Sequence, residues 1–60
     1  MQCVIIKYRA PSINGEHMPL YLYTEPLRVL EDNEDNICVL YKDNEFYSYW
    51  FNKKYIDRYL

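Results

Sequence analysis

The sequence predicts an all-β domain, a small five-stranded barrel finished by a short C-terminal helical turn. Three observations lead there. β-branched and aromatic residues crowd into runs of roughly 4–8 residues, the length of strands. Turn-forming residues separate those runs at close spacing. No segment keeps a helical apolar period long enough for an ordinary helix.

Taken in order, QCVIIKYR (2–9) is rich in β-branched and aromatic residues and reads as the first strand. APSINGEHMP (10–19) is a loop bracketed by Pro11 and Pro19, with Asn14 and Gly15 as its turn signal. LYLYTE (20–25) alternates Leu20 and Leu22 against Tyr21 and Tyr23 and reads as a second strand, which Pro26 interrupts. LRVLE (27–31) restarts the ladder, EDNEDN (31–36) is a solvated turn, and ICVLY (37–41) is a compact buried strand. KDNE (42–45) reads as a tight hairpin turn, because Asp and Asn tolerate positive φ, and FYSYWF (46–51) is the return strand. In NKKYIDRYL (52–60) the period changes, and Asn52 is a good N-cap for one or two helical turns.

A chain of 60 residues makes one domain, 1–60. At that size only about 60% of the unfolded surface is buried, so the core has to be dense. Eight Tyr, two Phe and one Trp can supply the density, since each enclosed aromatic buries on the order of 150–250 Å². Nine acidic against seven basic residues, a net charge of -2, give no strong pull toward nucleic acid or an anionic membrane. The apolar run near the N-terminus is broken by Lys7 and Arg9 and is too short for a signal or a membrane span, so a cytoplasmic protein is expected. Cys3 and Cys38 show no metal-ligand spacing. They are expected as reduced, small apolar residues, the alternative being a disulfide from the first strand to a middle one.

The order of elements resembles a Src-homology-3 (SH3) type barrel over nearly the whole chain. VIIKYRA (4–10) falls where that family has ALYDYxA, the loop and alternating segment where it has a long RT loop, and VLE (29–31) where it has the same letters. Asp43 and Asn44 lie at the place of the distal turn, and FNKKYI (51–56) at that of the FPSNYV ending. The resemblance implies a peptide-binding groove of which only Tyr8 and Tyr55 carry over. Ile37 stands where the groove tryptophan would be, Asn52 replaces the groove proline, Ile6 the first ALYDY tyrosine, and Tyr49 the usual glycine before the last strand.

Catalysis needs a nucleophile beside a base, or two carboxylates in contrasting environments. Ser12 and Ser48 have no histidine near them in sequence, and the acids gather in a turn, so no enzyme and no cofactor are expected. His17 lacks the companions a zinc site requires, and no metal is expected. Seven of the aromatic residues fall within 42–60. In a strand Phe46, Ser48 and Trp50 share one face and Tyr47, Tyr49 and Phe51 the other. A barrel has one interior, so some of these rings are expected outside, where tyrosine suits a protein interface and is also common on edge strands.

The expected function is therefore a non-catalytic module that binds another protein or peptide through Tyr8, Tyr47, Tyr49, Trp50 and Tyr55. A subunit of a larger assembly would fit, as would a small inhibitor or modulator of a host protein of the kind bacteriophages use. Richness in Tyr, Ile, Asn and Lys suits an AT-rich gene of that kind. The alternative is a single-stranded nucleic-acid binder using Lys53, Lys54 and Arg58 beside stacking tyrosines.

Overall fold

The computed structural model describes residues 2–42 and 44–60, Glu45 by its backbone alone. The chain is all-β, with strands β1 Cys3–Ile6, β2 Leu27–Asp32, β3 Asn36–Tyr41, β4 Asn44–Asn52 and β5 Ile56–Tyr59. They form one antiparallel sheet in the order β4-β3-β2-β1-β5.

Three of the expected elements differ. LYLYT, read as a strand, is a 3-10 helix, Leu20–Thr24, which buries the consecutive residues Leu22 and Tyr23. A 3-10 helix turns every three residues, so five residues of alternating Leu and Tyr fit it as well as a strand. Pro19 and Pro26, which lack amide protons, leave that segment a poor ladder member. At the C-terminus the expected helical turn is present as Lys53–Tyr55, with the Asn52 side chain accepting from the Lys54 amide at 3.0 Å. A fifth strand then follows, Ile56–Tyr59, pairing with β1 from Val4 opposite Tyr59 to Ile6 opposite Ile56. β1 is shorter than expected, because Lys7, Tyr8 and Arg9 leave the ladder and Arg9 takes a φ of +65°. Of the hairpin turn expected at 42–45, Lys42 turns the chain with a φ of +48°, while Asp43 lies outside the described residues.

The short link between β4 and β5 shows that the sheet is curled. These strands occupy opposite edges, which in a flat five-stranded sheet would lie about 19 Å apart. Four residue steps from Asn52 to Ile56 reach at most about 14 Å. The sheet must bend until its edges approach, which is compatible with a small barrel, and the molecule measures 24 × 23 × 20 Å.

Inside the curl lie Val4, Ile6, Leu22, Leu27, Ile37, Val39 and Phe51, all fully buried. Register explains the arrangement: Ile37 opposes Phe51 and Val39 opposes Tyr49 on the inner face of β3 and β4. Cys38 and Leu40, on the outer face, are also buried, flanked across the sheet by Trp50 and Glu31 and by Ser48 and Arg28. Both cysteines are free thiols. The long connection between β1 and β2 is held by Ser12, whose buried hydroxyl accepts the amides of Asn14 and Glu16 at 3.3 and 3.1 Å.

Candidate functional site: a cluster of tyrosines

The first 3-10 helix packs beside the β3–β4 hairpin and brings tyrosines from three segments together. Tyr21 meets Tyr41 edge to face, with ring centroids 6.0 Å apart at 75°. Tyr41 meets Tyr47 at 6.4 Å and 89°. Tyr49 follows on β4 and leans on Phe51 at 6.4 Å, and Tyr8 stands edge-on to Tyr23 at 5.8 Å. Such pairs prefer edge-to-face geometry because the ring edge is positive and the face negative.

The members differ in burial. Tyr8 is 64% exposed and Tyr21 53%, whereas Tyr41, Tyr47 and Tyr49 are half-buried against the core. Tyr23 is enclosed, its hydroxyl donating to the Ala10 carbonyl at 2.8 Å and accepting the Met18 amide at 3.1 Å. Desolvation and the neighbouring hydroxyls, Tyr47 foremost, hold the Tyr21 phenol above its ordinary value. Burial does the same to Tyr49, followed by the Glu16 carboxylate and then Tyr47 and Tyr23. Ring contacts thus join Tyr21, Tyr41 and Tyr47 into one patch, while Tyr8 packs on the enclosed Tyr23.

The five residues expected at the site do not form a single surface. Tyr47 and Tyr49 belong to the cluster, but as half-buried inner-face residues alongside Phe51, not as bare outer rings. Tyr8 is exposed and stands apart from them, packed on the enclosed Tyr23. Tyr55 is half-buried and joined to the Tyr8 segment by its carbonyl, which accepts the Lys7 amide at 2.8 Å. Trp50 is on the opposite face of β4, opposite Cys38, so alternation separates it from Tyr47 and Tyr49. Its carbonyl accepts the Ile13 amide at 2.9 Å, which fastens the long loop to this edge. The ring left most exposed on that face is Phe46, at 94%.

Sequence reasoning missed Tyr21 and Tyr41. Each sits in a segment read as an ordinary strand, and only tertiary packing puts their rings together. The cations singled out at the C-terminus all have partners within the chain. Lys53 pairs with Asp32, Arg58 with Asp57 at 3.3 Å, and the Lys54 ammonium lies 5.2 Å from the Tyr55 ring centroid. His17 is exposed in the loop. Among the described residues no three His, Cys, Asp or Glu side chains converge as metal ligands, and no helix is long and apolar enough to cross a membrane.

Comparison with protein-family models, with curated proteins and with solved structures found no match.

Proposed function

We propose that this chain is a non-catalytic, SH3-like barrel that works in the cytoplasm by binding another protein through its tyrosine patch, as a small inhibitor or modulator would. The observation that carries the reading is the packing of exposed Tyr21 on half-buried Tyr41, which in turn meets half-buried Tyr47, with exposed Tyr8 held separately against Tyr23. Half-buried neighbours hold the exposed rings in place, and rigid aromatic anchors with a polar tip are what protein interfaces favour. The barrel type is supported by the strand order β4-β3-β2-β1-β5, by the long loop after β1 and by the 3-10 turn before β5. The peptide groove that the resemblance implies is incomplete, because Ile37 is a core residue.

The nucleic-acid alternative is disfavoured by the internal pairing of Lys53, Lys54 and Arg58. Immobilised wild type and a Tyr8→Ser/Tyr21→Ser double variant, both positions being exposed, test the reading by capture of proteins from lysate. A defined protein retained by the wild type and lost by the variant is expected. Equal recovery by both would refute the assignment. Retention on single-stranded DNA at low salt, lost as salt rises, would move the function to nucleic acid.

A further inference from the structure

The chain turns sharply where β1 ends. The Ala10 amide donates to the Lys7 carbonyl at 3.1 Å, and Arg9, the third residue of that turn, has a φ of +65°. Gly or Asn ordinarily takes this place in a hydrogen-bonded turn with one positive φ. Lys42, the other non-glycine residue with a positive φ among the described residues, sets its ammonium 5.3 Å from the centroid of the Tyr41 ring. Arg9 makes no ion pair and no ring contact among the described residues, and neither does the Lys7 side chain. A local rule is broken with no gain inside the molecule, which directs attention to what lies outside it.

The turn is held from several sides. The Lys7 amide donates to the Tyr55 carbonyl at 2.8 Å, and the hydroxyl of the enclosed Tyr23 donates to the Ala10 carbonyl at 2.8 Å. Tyr8 rests edge-on against the Tyr23 ring. Lys7, Tyr8 and Arg9 are thus consecutive exposed residues on a fixed backbone, and exposed Lys54 precedes the Tyr55 to which Lys7 is bonded. A guanidinium presents a planar fork of donors that matches a carboxylate, and an ordered backbone lowers the entropy that such a contact costs. The chain's net charge of -2 opposes an extended polyanion. A short acidic segment answers to the local cations alone, because exposed charges more than about 10 Å away are screened.

We propose that Lys7 and Arg9, with Tyr8 between them in the chain, form a docking site for an acidic segment of a partner protein, whose Asp and Glu carboxylates the two cations take. This rests on the protein-binding reading and adds the partner's chemistry to it. Tyr8 supplies the aromatic anchor and Lys54 a third cation at the margin.

The test is an NMR titration of the full chain with an acetylated glutamate hexapeptide and, separately, with the corresponding glutamine hexapeptide. The backbone amides of Lys7, Tyr8, Arg9 and Ala10 are expected to shift saturably with the acidic peptide only. Arg9→Gly is expected to raise the thermal midpoint, since the turn loses its strain, and to weaken binding roughly threefold, the size of one exposed ion pair. Lys42→Gln, which removes the same charge from another turn, is expected to leave the affinity unchanged. No saturable shift at these amides, an equal response to the glutamine peptide, a lower midpoint in Arg9→Gly, or equal weakening in Arg9→Gly and Lys42→Gln would overturn the proposal. Tighter binding of an oligothymidylate of equal charge would overturn it in favour of nucleic acid. Self-association that Arg9→Gly abolishes would overturn it in favour of the acidic turn of a second copy. A captured protein that depends on Tyr8 and Tyr21 but is not competed by the glutamate peptide would overturn it and leave the protein-binding reading standing. Binding of the glutamate peptide with no protein captured would do the reverse.

Discussion

Tyr8 and Tyr23 touch edge to face, yet they serve different ends. The Tyr23 hydroxyl satisfies a carbonyl at Ala10 and an amide at Met18, tying two ends of the long loop together inside the molecule. Tyr23→Phe keeps the ring but leaves both backbone groups without that partner, which costs about 1–3 kcal/mol. Tyr8→Phe, at an exposed position, should stay within about 0.5 kcal/mol of wild type. Urea unfolding midpoints will separate the two, and an equal loss would mean that the Tyr23 hydroxyl contributes little. Nothing in the letters distinguishes these two tyrosines, since each lies in a segment of mixed apolar and polar residues. What separates them is where the loop folds back, a tertiary fact. Tyr47 and Trp50 were legible in part: alternation placed them on opposite faces but could not say which face was inner. Phe51 settles it, being fully buried opposite Ile37.

Among the elements, β3 was the most readable because it is apolar on both faces, and only a strand covered on both sides is so composed. β5 was the least readable, since IDRY exposes three of its four side chains and carries no apolar pattern. Its place comes from β1, whose second edge needs a partner. The β4 edge, which could template aggregation, is blunted by contacts of its own: the Asn44 side chain accepts the Phe46 amide at 3.0 Å, and Ile13 caps the Trp50 carbonyl. The β3–β4 hairpin also carries the strained Lys42. Relief of its backbone should let Lys42→Gly stabilise the protein by about 1 kcal/mol, less the fraction lost with its contact to Tyr41. A higher thermal midpoint is expected, and a clear fall would show that the lysine supports the hairpin more than its backbone opposes it.

For the whole molecule, the fold class was readable because strand content and turn spacing survive errors in single elements; exchanging one strand for a 3-10 helix and adding another left the count at five. The curl of the sheet was not readable from pattern. It follows from the short Lys53–Tyr55 link between its two edge strands. The global response to pH also follows from the fold. Burial, then Glu31, raises the Cys38 thiol above its ordinary 9.0. Desolvation and neighbours raise Tyr21 and Tyr49 above 10.0, and the hydrogen bond to Asp32 raises Lys53 above 10.5. In each case the folded chain holds its proton more tightly than the unfolded chain. The stabilising difference is fully present below the ordinary value and is lost as the pH rises through the folded one. Stability from these groups should be level up to about pH 9 and fall beyond it, and denaturation midpoints that rise between about pH 9 and about pH 11 would contradict this, a window that opens near the ordinary thiol value and closes above the ordinary phenol one. Finally, β1 and β5 are neighbours, and the Leu60 amide donates to the Cys3 carbonyl at 2.9 Å. The backbone thus leaves the sheet beside the point where it entered, so a circular permutant, with a short Gly-Ser bridge from Leu60 to Gln2 and new ends cut between Asn14 and Gly15 on the exposed loop, should still fold cooperatively. In such a molecule the old seam would become an internal hairpin.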